Sequence, residues 1–147
     1  MASSHRSPSF TAADMDDLLG GRRMRRNRQT DWSRRLVRET TLSVDDLIWP
    51  IFLIEGTGVR QPVTSMPGVF RFSVDEAVKE AVRAESLNIP VIALFPYTDD
   101  GLRDENGSEA LNENNLVCRT CAAIKKEGLN IGIMTDVALD PYTSHGH

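Results

Sequence analysis

The stretch Leu129-Asn-Ile-Gly-Ile-Met-Thr-Asp-Val-Ala-Leu-Asp-Pro-Tyr-Thr-Ser-His-Gly-His147 joins an apolar run to a burst of polar groups. The run from Leu129 to Val137 has the length and composition of a buried strand. Asp136, Asp140, Tyr142, Ser144, His145 and His147 cluster at and beyond its end. A strand that delivers such groups at its C-terminal end fits the rim of a barrel, where residues from several strands converge on a substrate. The sequence stops inside this cluster. The expectation is therefore a piece of a longer protein, with the function carried by the whole.

Working upstream, the same alternation recurs. Ile89-Pro-Val-Ile-Ala-Leu-Phe-Pro96 is apolar on both faces, as in a covered parallel sheet. Leu47-Ile-Trp-Pro-Ile-Phe-Leu-Ile54 reads as a further strand, although Pro50 argues against a regular central one because proline donates no ladder hydrogen bond. Ser73-Val-Asp-Glu76 has a capping-box pattern, with Ser73 at N-cap and Glu76 at N3. The helix it opens runs to about Leu87, with Val74, Ala77, Val78, Ala81 and Val82 facing inward. A second helix, capped by Asn112 or Asn114, ends at Gly128. Ser43-Val-Asp-Asp46 reads as a helix-cap-like turn before the first strand.

Strands alternating with helices demand parallel βαβ crossovers. A doubly wound sheet and an eight-fold barrel both accommodate three such strands. The loops after the strands are long and polar and the turns before them tight, which favours a barrel with its chemistry on that face. Three strands cannot close a barrel, and their apolar edges would stay exposed. The expected architecture is α/β. Residues 41–147 form about three βα units of an incomplete TIM barrel, and residues 1–40 a flexible tail followed by an extended Arg-rich arm.

Within that arm, eight arginines fall between Arg22 and Arg38, although the whole chain carries a net charge of −4. The acidic balance argues against non-specific nucleic-acid binding as the main role, and an arm that docks on an acidic neighbouring subunit is the simpler reading. Asp31 is placed to N-cap a short helix over Trp32–Arg38, and Met15-Asp-Asp-Leu-Leu to form one helical turn. No secretory signal pattern opens the chain and no apolar stretch approaches the ~20 residues that span a bilayer. A cytoplasmic protein with no membrane or nucleic-acid partner is expected.

Cys118 and Cys121 are three apart, a spacing used by redox and zinc sites. They lie on the predicted second helix, no second cysteine pair completes a zinc site, and half-buried thiols on one helix face are the simpler reading.

Asp136 and Asp140 are the strongest candidate site residues. Each is also an ordinary turn former. Two carboxylates this close in a loop can share a divalent ion, and hard oxygen donors favour magnesium over zinc. His145 and His147 share one side of an extended loop, a spacing suited to metal or phosphate. Tyr142 and Ser144 are placed to orient a substrate or relay a proton. The loop from Asp99 to Glu113 reads as a solvated loop or lid without chemistry. Gly56-Thr-Gly58 is too short for a dinucleotide fingerprint.

Four motifs resemble those of porphobilinogen synthase, the delta-aminolevulinic acid dehydratase family. They are Arg38-Glu-Thr-Thr-Leu-Ser-Val-Asp-Asp-Leu-Ile-Trp-Pro50, Ser65-Met-Pro-Gly-Val-Phe-Arg71, Ile89–Pro96, and Asp136 through His147. Gly107-Ser-Glu-Ala110 also fits, and the order and spacing match from about Arg22 onward. The chain looks most like bacterial, alphaproteobacterial members. The resemblance implies the N-terminal portion of a TIM-barrel lyase that condenses two 5-aminolevulinate molecules into porphobilinogen, with loss of two waters, in heme and other tetrapyrrole synthesis. It implies an N-terminal arm that wraps a neighbouring subunit in a homo-octamer. It also places Asp136 and Ser144 in the lining of the active site, with His145 in the same motif.

Two departures are informative. Zinc-dependent members resembling this chain have Cys where it has Ala138 and Asp140, and a third just past His147. The hard donor Asp140 makes zinc unfavourable and magnesium the expected ion, with a partner ligand beyond the last residue. The family also uses two Schiff-base lysines from the second half of the barrel. Lys79, Lys125 and Lys126 are the only lysines here and none matches. The 147-residue chain is therefore expected to be inactive alone. The alternatives are a non-catalytic assembly partner of the full enzyme, and a metal-binding α/β module using Asp136, Asp140, His145 and His147.

Overall fold

The computed structural model describes residues 25–146. The expected helical turn at Met15 and the residue His147 lie outside the described residues. The chain divides into two compact units, one ending at Thr41 and one running Leu42–His147.

In the first unit, α1 spans Asp31–Leu36. Its N-cap is Thr30 rather than Asp31, and the helix stops short of Arg38. Ser33 is its one buried residue, with its hydroxyl donating to the Asn27 carbonyl at 2.9 Å. Trp32 and Leu36 are exposed.

The second unit is a five-stranded sheet with two helices. Its strands are β1 (Ile48–Leu53), β2 (Arg60–Pro62), β3 (Phe70–Phe72), β4 (Val91–Pro96) and β5 (Gly132–Thr135), and its helices α2 (Val74–Ser86) and α3 (Leu116–Lys126). The sheet order is β2-β3-β1-β4-β5. The three strands read from sequence pair parallel, with Leu53 opposite Pro96 and Leu94 opposite Thr135. From β1 the order advances one way through β4 to β5, and both helices pack on the same face. That is the progression of a barrel wall; a doubly wound sheet reverses direction and places helices on both faces.

Pro50 sits inside β1, opposite Ala93. Its tolerance follows from the alternation of peptide groups along a strand. Leu53 accepts from Tyr97 N–H on the β4 side, while Ile54 donates to Phe72 on the β3 side. The nitrogen of Pro50 thus points to the β3 side, where pairing covers only Phe52 and Leu53. No ladder bond is lost there.

The β2–β3 hairpin was not expected: the sequence reads as loop from Glu55 to Phe72. Each strand is three residues long. The hairpin is held by tertiary contacts that no local pattern announces. Val59 N–H donates to the Ser73 hydroxyl at 2.9 Å, and Arg60 stacks over the rings of Phe70 and Phe72.

The core lies between the sheet and the helices, built on Ile51, Leu53, Ile92, Leu94, Ala77, Ala81, Ala84, Leu116 and Ile124. The three alanines have no exposed surface; their small size lets α2 approach the strands closely. Val82, expected inside, is 43% exposed, and Glu76 and Glu80 are buried instead. Their carboxylates are paired with Arg60 at 3.8 and 3.4 Å, and with Lys79 and Arg83 one turn along. Buried carboxylates persist only with such partners. Ser73 is the N-cap residue, but the capping box is absent: its hydroxyl serves Val59 and Asp75, and Glu76 serves the cations. A capping box does form at Ser43, with Asp46. Asn115, rather than Asn112 or Asn114, caps α3, accepting from Cys118 N–H at 2.8 Å. Cys121 packs against the core, whereas Cys118 is exposed.

The opposite face of the sheet carries Ile48, Pro50, Phe52, Phe95 and Met134. Phe52 and Phe95 pack ring to ring at 5.9 Å, while Ile48 and Met134 are 48% and 47% exposed.

Candidate active site

The parallel strands end together, and the segments that leave their C-terminal ends share one rim. Glu55 follows β1, the loop of residues 97–115 follows β4, and residues 136–146 follow β5. β5 ends at Thr135, shorter than the expected strand to Val137, so Asp136 is the first residue beyond it. Asp136 is exposed, as is Asp140. Asp140 lies in a turn closed by Tyr142 and Thr143 N–H, both donating to the Leu139 carbonyl at 2.9 and 3.1 Å.

Beyond that turn the chain is anchored. Tyr142 and Thr143 are buried. Burial, with smaller contributions from Cys118 and Glu109, pushes the Tyr142 phenol above its ordinary pKa. The phenol therefore stays protonated at neutral pH and can donate but not act as a base. Ser144 and His145 are exposed. Ser144 N–H donates to the Asp104 carbonyl at 2.9 Å, and Asp104 N–H to the Tyr142 carbonyl at 3.2 Å. The 97–115 loop, which the sequence reads as a solvated loop or lid, is thus docked on the segment that carries the candidate residues.

That loop is itself ordered. Arg103 donates twice to the Thr98 carbonyl, at 3.1 and 2.8 Å. The Asp104 carboxylate accepts from Asn106 and Ser108 N–H at 2.9 and 3.0 Å. Hydrogen bonds from Ser108 first, then from Asn106 and Gly107, hold its carboxyl below the usual carboxylate range. The local signal was present in Asp104-Glu-Asn-Gly-Ser108, an Asp ahead of Asn-Gly, which is an Asx-turn composition. Glu55, Tyr97, Thr98, Asp99, Glu109 and Tyr142 surround a small cavity at the same rim, with room for about one water.

Among the described residues, no group of three or more His, Cys, Asp or Glu side chains could together hold a metal ion. Asp136 and Asp140 offer hard oxygen donors, and the two thiols belong to α3. The donor types suit an oxygen-seeking cation, but the described residues do not complete a site. The three lysines lie on the two helices. Lys79 is 67% exposed on α2, and its hydrogen bond to Glu76 and the Glu76 charge raise its pKa, opposite to the lowering that a Schiff-base amine needs. Lys125 and Lys126 are exposed in the last turn of α3.

Comparison with known proteins bears on this rim. Residues 21–147 match the model of the family described as delta-aminolevulinic acid dehydratase. A delta-aminolevulinic acid dehydratase of Bradyrhizobium diazoefficiens is 65% identical over 125 residues, covering 85% of this chain and 35% of the relative. That of Chlamydia pneumoniae is 41% identical over 133 residues, covering 90% and 40%. Among solved structures, the delta-aminolevulinic acid dehydratase (porphobilinogen synthase) of Toxoplasma gondii, in complex with its reaction product porphobilinogen, superposes with a TM-score of 0.76 at 38% identity. It is covered over 36% of its length, by 86% of this chain. The chain thus spans between a third and two fifths of the length of these relatives. The superposition supports the reading of the sheet as part of a barrel wall.

Proposed function

Because this chain belongs to the delta-aminolevulinic acid dehydratase family, we propose that it supplies the N-terminal part of a porphobilinogen synthase. The complete enzyme condenses two 5-aminolevulinate molecules to porphobilinogen and releases two waters, in the cytoplasm, as a step of heme synthesis. The observation that carries this reading is the placement of residues Asp136–Gly146, the described part of the motif, directly after β5, at the rim where the parallel strands end.

Asp136 and Ser144 line the substrate site in this proposal. Asp136 is aligned with the strand end and exposed to the rim, so its carboxylate can hold a substrate amine or a proton. Asp140 presents one hard donor toward a magnesium-type ion whose remaining ligands lie outside the described residues; when bound, such an ion polarises an oxygen of the substrate. Zinc is disfavoured by the same donor chemistry. The arm of the first unit serves assembly of a homo-oligomer, an octamer by the family resemblance. In support, it presents Trp32 and Leu36, 67% and 78% exposed, among arginines.

The three lysines sit on α2 and α3 and not on the segments that follow the strands, so catalysis is assigned to the assembled barrel. The test is a hybrid in which this chain is joined to the downstream part of the Bradyrhizobium enzyme. Asp136→Ala in the hybrid is expected to lower kcat by about 100-fold or more, the scale of losing a positioned acid–base group. Chelation should lower activity, with recovery on adding magnesium and not zinc, and Asp140→Ala should weaken that recovery. Full activity of Asp136→Ala, or zinc-specific recovery, would remove these assignments.

A further inference from the structure

We propose that Asp104 is a positioning residue, a latch that fixes residues 139–145 against the loop following β4. The inference rests on the reading of that segment as part of the active site, and extends it to a residue that touches no reacting group.

Three independent features meet at this residue. Its main chain bridges two loops: the N–H donates to the Tyr142 carbonyl at 3.2 Å and the carbonyl accepts from Ser144 N–H at 2.9 Å, the pattern of a parallel bridge to Thr143. Its carboxylate is committed to its own turn, accepting from Asn106 and Ser108 N–H. That turn brings Gly107 against the partner segment. Gly107 is buried and has φ +63°. A Cβ there would lie 3.4 Å from Thr143 Cγ2 and 3.9 Å from the Leu139 carbonyl. A side chain at 107 would adopt a strained left-handed backbone, with its Cβ in ordinary contact with the segment.

The consequence is directional. The carboxylate shapes the 104–108 turn, the turn seats Gly107 on Thr143, and the main-chain pair then fixes Ser144 and its neighbour His145. Asp140 lies in the turn immediately before. Removing the carboxylate frees the turn without touching the candidate active-site side chains. Asparagine at 104 keeps one acceptor oxygen and preserves most of the turn, because Asx turns need only that oxygen.

The test is hydrogen exchange by mass spectrometry on the 147-residue chain, comparing peptides from residues 137–147 with those of β4 and α3. Asp104→Ala should exchange at least 10-fold faster in the 137–147 peptides and leave β4 and α3 unchanged, while Asp104→Asn stays within about 3-fold of the original. Gly107→Ala should repeat the Asp104→Ala pattern, and decides the matter should Asp104→Ala not fold. Unchanged exchange in 137–147, or loss of protection across the whole unit in both Asp104→Asn and Gly107→Ala, overturns the latch. In the hybrid synthase, Asp104→Ala should lower kcat by about 10-fold with little change in KM, and Asp104→Asn should restore it. An inactive hybrid with intact exchange protection would count against the functional reading alone, and loss of the latch would leave that reading standing.

Discussion

Asp75 accepts the Ser73 hydroxyl at 2.6 Å and the Gly58 N–H at 3.0 Å. These bonds, the Ser73 one foremost, hold its carboxyl below the ordinary value of 3.8. A carboxyl depressed in the folded state stabilises the fold above its unfolded pKa, and that contribution is lost as pH falls through the folded value. Asp75→Asn is therefore expected to flatten the acid limb of the stability profile. Urea unfolding at pH 7 and near pH 3 should show a smaller loss for Asp75→Asn than for the original chain; parallel losses would contradict this. Arg60 is the other residue with leverage, since it faces two buried carboxylates. Arg60→Ala should destabilise by about 1–3 kcal/mol, the usual cost of leaving buried polar groups less satisfied. These two effects were hidden from sequence reading for one reason. Ser73 and Glu76 have the spacing of a capping box, but the hairpin supplies both with other partners, and only tertiary structure brings Val59 to Ser73, Arg60 to Glu76 and Gly58 to Asp75.

At the scale of elements, α2 and the sheet test which helix face is inside. Leu94 has 1% of its surface exposed and Ala81 none. Leu94→Ala should cost about 2–5 kcal/mol through lost contacts and a cavity, and Ala81→Leu about 1–3 kcal/mol through overpacking. Val82→Lys should stay within about 0.5 kcal/mol; a cost near that of Leu94→Ala would restore Val82 to the core. The long apolar runs of β1, β4 and β5 and the helices between them were legible in the residues, because burial on both sides of a parallel strand leaves a continuous signature. The three-residue strands Arg60–Pro62 and Phe70–Phe72 were not, being too short to carry a period. The cap of α3 falls at Asn115, one residue past Asn114 and three past Asn112, because any of these asparagines suits an N-cap. In the site, the residues at and after the β5 end were visible from their composition. Their anchoring by Asp104 was not, because it runs through main-chain bonds to which side-chain pattern is blind.

For the whole molecule, the sheet buries one face under α2 and α3 and presents Ile48 and Met134, about half exposed, on the other. An apolar surface of this kind calls for a cover, and in the proposed synthase the rest of the barrel supplies it. The isolated chain should bind an apolar dye such as ANS, and joining it to the downstream barrel should abolish most of that signal. The measurement that tests the central claim most directly is porphobilinogen formation from 5-aminolevulinate, by the isolated chain and by the hybrid with the downstream part of the Bradyrhizobium enzyme. The account predicts no product from the chain alone and sustained turnover by the hybrid. Product from the 147-residue chain, or a folded and assembled hybrid without turnover, would contradict it.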